Sequence, residues 1–271
     1  MAAPFDPWPM RRWHPSTRRG WGRTMALLEV KAVQVKFNGF LALRGLDLTV
    51  EAGELRCLIG PNGAGKTTAL DVICGKARPS AGEITFDGHK IGRLDEHRIA
   101  RLGVGRKFQV PSVFRELTVR ENLAVAQSRP SGIFSNLVPR KQRDPALQNL
   151  AEFVGLADVA DEPAGNLSHG QTQWLEIAML MAQDSRLILL DEPTAGMTAA
   201  ETRKTAELCR RLKGQHSLIV VEHDMGFIRE IGDVISVMHQ GKLLAQGTVA
   251  EIEVDPQVKE AYLGSGGISH A

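Results

Sequence analysis

Aromatic residues make up only 5 % of the 271-residue chain, with a single tyrosine, and cysteine occurs three times, at Cys57, Cys74 and Cys209. Three thiols without a C-x-x-C pair argue against a disulfide framework or a zinc site, and are expected to be free, buried thiols of a reducing cytoplasm. The eight histidines include no H-E-x-x-H spacing. No apolar run approaches the roughly 18 residues of a bilayer-spanning helix, so any work at a membrane needs a pore from other chains. Net charge is also small, at +2. Residues 1–24 hold five arginines against one acid, Asp6, a net +4 that leaves −2 for residues 25–271. The basic excess therefore belongs to a tail, and no nucleic-acid-binding face is expected. That tail also carries Trp8, Trp13 and Trp21, and its Pro4, Pro7, Pro9 and Pro15 oppose the amphipathic helix of a transit peptide. It reads as a disordered extension or an over-called start ahead of a domain beginning at Met25, or else as a basic tryptophan-bearing arm that touches lipid.

What is present is more specific. With 43 % apolar residues the chain can bury one large α/β core. Residues 60–68 read Gly60-Pro61-Asn62-Gly63-Ala64-Gly65-Lys66-Thr67-Thr68, following the apolar run Leu55 to Ile59 and preceding Ala69-Leu70-Asp71-Val72-Ile73. This is a G-x-x-x-x-G-K-[ST] loop between strand and helix, the context the motif requires. Its backbone N–H groups and the helix N-terminus suit a polyphosphate, Lys66 suits the β- and γ-phosphates, and the Thr67 hydroxyl suits Mg²⁺. The chain is expected to bind a nucleoside triphosphate.

Two further runs end in polar residues. Leu187 to Leu190 runs into Asp191-Glu192, and Leu218 to Val221 runs into Glu222-His223-Asp224. A carboxylate pair at a buried strand's end suits Asp191 for Mg²⁺ and Glu192 for polarising an attacking water, unless both acids merely cap a solvated turn. His223 reads either as a γ-phosphate partner or as a structural histidine. Between these runs, Ser168 and Gln171 form an S-x-x-Q capping box ahead of Trp174, Ile177, Ala178 and Met181 at helical spacing. This helix start, with the Ser168 hydroxyl and Gly170, offers a second phosphate site. A single nucleotide does not readily reach both sites of one chain, so two chains arranged head to tail are expected.

The coarse layout follows from period and punctuation. Leu28 to Phe37, Ala42 to Val50 and Glu83 to Phe86 predict a small antiparallel sheet joined by Asn-Gly, Ala-Gly and Asp-Gly turns. Runs ending at Gly60, Asp191, Glu222 and near His239 predict a central, largely parallel sheet flanked by helices. Residues from about 110 to 165 predict a helical subdomain, with helices over Val119 to Ala126 and Pro145 to Val154. The basic stretch from Arg129 to Arg143 is a surface loop or a contact for a membrane partner.

Taken together, these motifs resemble the ATP-binding cassette (ABC) ATPases over residues 27 to 264. Leu167-Ser168-His169-Gly170-Gln171 is similar to that family's signature, with His169 in place of a glycine. Gln109, in Arg106-Lys107-Phe108-Gln109, stands where the family has its Q-loop glutamine, which implies a role in catalysis and toward Mg²⁺. His223 stands at the switch histidine. Phe37 matches the aromatic that stacks on adenine, with core packing the equal alternative. Thr198 stands where an aspartate usually couples the two sites.

The resemblance implies an α/β P-loop NTPase cassette over residues 25–264 with a tail at 265–271. It further implies ATP and Mg²⁺ as ligands, Glu192, His223 and Gln109 as catalytic residues, and Ser168, His169, Gly170 and Gln171 on nucleotide. Expected partners are a second cassette, integral membrane permeases and a periplasmic or extracellular substrate-binding protein, with the chain peripheral on the cytoplasmic face of the membrane. Lys66 and Ser168 are only 102 residues apart, without sustained heptads, unlike a coiled-coil repair ATPase. A single phosphate loop also differs from the two-cassette ribosome-acting proteins. Leu102 to Gln109, Leu117 to Leu123 and Ala261-Tyr262-Leu263-Gly264 resemble the branched-chain amino-acid importer subfamily. Within it, Leu167 to Gln171, Trp174 to Ile177 and Glu192 to Thr198 resemble the urea importer ATPase. Urea or a short-chain amide is thus the expected cargo, branched-chain amino acids the alternative and lipopolysaccharide export a more distant one.

Overall fold

The computed structural model describes residues 26–107, 113–128 and 144–263. The extension at 1–24, Gln109, the basic loop at 129–143 and the tail at 265–271 lie outside them. The chain divides into two compact units, one holding Val113–Gln183 and the other the segments on either side of it.

The larger unit carries two sheets. Strands β1 (Leu28–Phe37), β2 (Phe40–Val50), β4 (Ala81–Phe86) and β5 (His89–Lys90) form an antiparallel sheet in the order β2-β1-β4-β5. Its first hairpin turns at Asn38-Gly39, both with positive φ, as a tight two-residue connection demands. Alternation along β1, shifted by one residue between Val30 and Val33, sends Leu28, Val30, Val33 and Val35 into the core, where they meet Leu46, Ile84 and Phe86.

The second sheet runs β10-β9-β3-β8-β7-β6. Strands β3 (Leu55–Ile59), β7 (Leu187–Asp191) and β8 (Ser217–Val221) are buried at every residue, as central parallel strands must be. Strand β9 (Val234–His239) extends the parallel set, and β10 (Lys242–Gly247) joins it antiparallel at the edge. Strand β6 (Val104–Lys107) pairs with β7 at the opposite edge and was not foreseen. Two cations and a glycine in four residues do not read as a buried strand, yet all four are buried. Helices α1 (Lys66–Cys74), α2 (Glu96–Leu102), α6 (Ala199–Leu212), α7 (Met225–Ile231), α8 (Val249–Val254) and α9 (Pro256–Leu263) complete this unit. Helix α6 buries Ala206, Leu208, Cys209 and Leu212 along one stripe and ends in Arg210 and Arg211, which favour the negative end of its dipole.

The smaller unit contains α3 (Val119–Gln127), α4 (Pro145–Phe153) and α5 (His169–Ala182). Helix α3 starts on a Thr118/Glu121 capping box and α4 on Asp144 with Pro145 in its first turn. The expected subdomain ended near residue 165, whereas this unit runs to Gln183. The difference arises because α5 packs on α3 and α4, and its apolar residues Trp174, Ile177, Ala178 and Met181 are all buried.

Candidate active site

The phosphate loop joins β3 to α1, and its geometry follows from its glycines. Gly60 has φ 149°, and a Cβ there would collide with the Met238 carbonyl. Gly65, at φ 100°, leads directly into α1, with Ala42 O only 2.9 Å from where a side chain would begin. Only glycine fits these backbone positions without strain. Lys66 is the first residue of α1, and its buried amine donates to Gly60 O at 2.7 Å and Pro61 O at 3.1 Å. Burial pulls the Lys66 pKa below its ordinary value, opposed by the nearby charges of Glu192 and Asp191. Thr67 is exposed beside it.

Asp191 closes β7 with its side chain buried. Arg106 Nη2 donates to Asp191 Oδ2 at 3.2 Å, while Nη1 of the same guanidinium donates to Asp71. Desolvation raises the Asp191 pKa, and Arg106 acts against it. Asp191 Oδ1 is buried and has no hydrogen-bond partner among the described residues. The orphaned Asp191 oxygen and the exposed Thr67 hydroxyl are hard oxygen donors of the kind that would hold Mg²⁺.

Glu192 follows in the left-handed region, at φ 48°, a conformation that costs about 1–3 kcal/mol in a non-glycine residue. Its N–H donates to Val221 O at 2.9 Å, which ties the strained residue to β8. The strained turn brings Glu192 Oε1 to 3.1 Å from His223 Nε2, with both side chains about two-fifths exposed. Glu222 is turned inward instead, accepting from Thr194 N at 3.0 Å and from His223 N at 3.0 Å. Lys66, Asp191, Glu192 and His223 therefore lie in one unit, with His223 in direct contact with the acid. Phe37 is 48 % exposed at the tip of the first hairpin, so core packing is excluded for it.

Ser168, His169, Gly170 and Gln171 lie in the smaller unit. Ser168 Oγ accepts from Gln171 N at 3.2 Å and Gln171 Oε1 from Ser168 N at 2.9 Å, completing the expected capping box. Gly170 is buried within the first turn of α5. His169 is exposed, with Nε2 3.3 Å from Gln173 Nε2. Thr198 caps α6 through a reciprocal pair with Glu201, a helix-starting role that an aspartate also performs. Gln109 lies outside the described residues. Sequence reasoning passed over Arg106, Asp71 and Glu222 as site residues, because a cation within a strand carries no local sign of the acids it meets.

The sequence pattern of the ABC transporter family matches residues 43–195, and that of the branched-chain amino acid ATP-binding cassette transporters matches residues 242–268. The high-affinity branched-chain amino acid transport ATP-binding protein BraF of Pseudomonas aeruginosa is 41 % identical over 249 residues, covering 88 % of this chain and 98 % of that protein. Among solved structures, the ADP conformation of the ATP-binding cassette MJ1267 aligns with a TM-score of 0.78 at 28 % identity, over 89 % of this chain and all of that one. A dimeric post-hydrolysis state of the cassette MJ0796, bound to ADP and Pi, aligns with a TM-score of 0.68 at 26 % identity, over 82 % of this chain and 98 % of that one. With a phosphate loop, a strand-end carboxylate pair and a capped signature helix on this fold, the chain belongs to the ABC transporter family as an ATP-binding, ATP-hydrolysing subunit.

Proposed function

We propose that this subunit powers uptake of branched-chain amino acids through separate permease subunits. The observation that carries this reading is the match to BraF along nearly the whole of that protein, joined by the separate match of residues 242–268 to the branched-chain cassette pattern. Urea or a short amide, expected from the signature region, has no such support, and the alternative takes its place.

In this reading Lys66 leaves its loop carbonyls for the β- and γ-phosphates of ATP, while the N–H groups of residues 60–68 cradle the chain of phosphates and Phe37 stacks on the base. Thr67 and Asp191 would hold Mg²⁺, which neutralises phosphate oxygens when bound. Glu192 accepts a proton from the attacking water, and His223 orients Glu192 and donates toward the γ-phosphate. Gln109 reports the state of that site to the smaller unit. Ser168, His169, Gly170 and Gln171 of a second cassette complete the site head to tail. The solved dimer of a related cassette supports two-chain assembly. Among the described residues no helix is long and apolar enough to cross a membrane. In this reading the chain sits at the cytoplasmic face beneath its permeases, which an external substrate-binding protein serves.

The test is transport. Cells lacking their own leucine and urea uptake, supplied with this chain and its permeases and receptor, should accumulate labelled leucine, isoleucine or valine, and Lys66→Ala should abolish that uptake. Uptake of urea without leucine would overturn the proposed cargo while leaving the ATPase assignment intact.

A further inference from the structure

One guanidinium joins three elements around the phosphate loop. From β6, Arg106 Nη2 donates to Asp191 Oδ2 of β7 at 3.2 Å, while Nη1 donates to Asp71 Oδ1 of α1 and lies 3.5 Å from Cys74 Sγ. Only 5 % of the Arg106 side chain and 1 % of that of Asp191 are exposed, so this contact is made out of water. The guanidinium engages a single oxygen of Asp191. The other, Oδ1, is buried and has no hydrogen bond among the described residues, which is costly for a carboxylate unless something else occupies it. Asp71 lies on the helix that begins at Lys66, so the element presenting the loop lysine also anchors the outer acid.

We propose that Asp71 and Arg106 are positioning residues for Mg²⁺, acting through Asp191 without touching the ion. The terminal torsion of an aspartate is soft, so a donor fixed on Oδ2 decides that Oδ1 is the oxygen left for a cation. Arg106 supplies that donor. Alone, its positive charge would also repel a divalent ion beside Asp191, and a buried setting strengthens such repulsion. Asp71 offsets this. As a second carboxylate on the same guanidinium it cancels the charge of Arg106, and Asp191 keeps its full negative charge for the ion. Lys76, 3.9 Å from Asp71, is mostly exposed, so solvent screens it. The planar fork of arginine reaches two carboxylates at once, which the compact ammonium of a lysine does not reproduce.

The inference rests on the reading of Asp191 as a Mg²⁺ ligand, and the experiment separates the two. Mn²⁺ serves as the probe, because its free-ion EPR signal fades on binding. Titrated into the full chain holding one equivalent of the non-hydrolysable analogue AMP-PNP, it should bind Asp71→Asn and Arg106→Lys about 10- to 100-fold more weakly than the parent, the usual effect of losing an outer partner of a metal ligand. AMP-PNP affinity in EDTA should stay at the parent value in both. Asp71→Asn keeps the shape and an acceptor oxygen while taking away the charge, and its site is partly exposed, so it carries the test if Arg106→Lys does not fold. Parent-like Mn²⁺ affinity in Asp71→Asn, or a loss of AMP-PNP affinity in EDTA as large as the loss with Mn²⁺, would overturn the positioning role. Asp191→Asn distinguishes the readings: weakened Mn²⁺ there beside a parent-like Asp71→Asn removes only the outer pair, whereas parent-like Mn²⁺ affinity in Asp191→Asn removes Asp191 itself as a ligand.

Discussion

Arg106 Nη2 lies 3.2 Å from Asp191 Oδ2, joining a strand at the sheet edge to the acid at the end of its neighbour. The same guanidinium holds Asp71 of α1, so one buried cation fixes two carboxylates beside the phosphate loop while leaving Asp191 Oδ1 free for other chemistry. Arg106→Met keeps much of the volume and removes the charge. Asp191 would then be a buried acid without its partner, a change that typically costs about 3–5 kcal/mol. Urea unfolding of parent and variant should show a lower midpoint of that order. A loss below about 1 kcal/mol would mean that solvent or another group takes over the carboxylates.

Glu192→Gln removes the acceptor of the water's proton and leaves Lys66 and its loop untouched. Hydrolysis should fall by about 10²–10⁴ while ATP affinity stays near the parent value. The variant should also sediment as a dimer with ATP and as a smaller species without it, since the nucleotide is not consumed. Near-normal turnover would assign the base to another residue.

A pH effect is expected at His216, on the turn between α6 and β8. Its Nδ1 donates to Ser185 O at 2.6 Å, and its Nε2 is buried with no partner among the described residues. Burial lowers the pKa from 6.5, with the Ser185 carbonyl opposing. The unfolded chain therefore binds a proton as pH falls through 6.5 while the folded one resists until its lower value is reached. Stability is fully present above 6.5 and declines below it. The His216→Gln variant should lose part of this slope between pH 6.5 and 5.5 in thermal unfolding; identical slopes would show that His216 contributes nothing to it.

Phe114 is 50 % exposed, although its backbone is pinned by the fully buried Asn122, which accepts from Phe114 N at 2.8 Å and donates to Phe114 O at 3.0 Å. A rigidly presented aromatic among exposed Arg115 and Glu116 suits a permease helix. Phe114→Asp should lower ATP-driven uptake at least about tenfold while the isolated chain keeps its melting temperature and its ATPase rate within twofold. Crosslinks from the assembled transporter that avoid residues 113–127 would count against this surface.

Much of this was local enough to read in one dimension. The glycines of residues 60–65, the Ser168/Gln171 box and the apolar runs before Asp191 and Glu222 are each set by neighbours a few residues away, so turn chemistry, capping and period expose them. Phe37 shows the limit. Its spacing allowed either packing or stacking, and only the placement of the hairpin tip left the ring exposed. Gln109 was recognised from its neighbours and lies outside the described residues.

What the sequence by itself determined is the runs of the small antiparallel sheet, the central parallel strands, the phosphate loop and the acids that end β7 and β8. Only the tertiary structure decided that β6 is a strand and that Arg106 is buried between Asp71 and Asp191. The physical reason is separation. Arg106 and Asp191 are 85 residues apart, and a charged side chain shows its partner only when the sheet brings the two strands together. Local rules reach across a turn or a helix face, while desolvation and long-range ion pairs depend on which distant elements share the core.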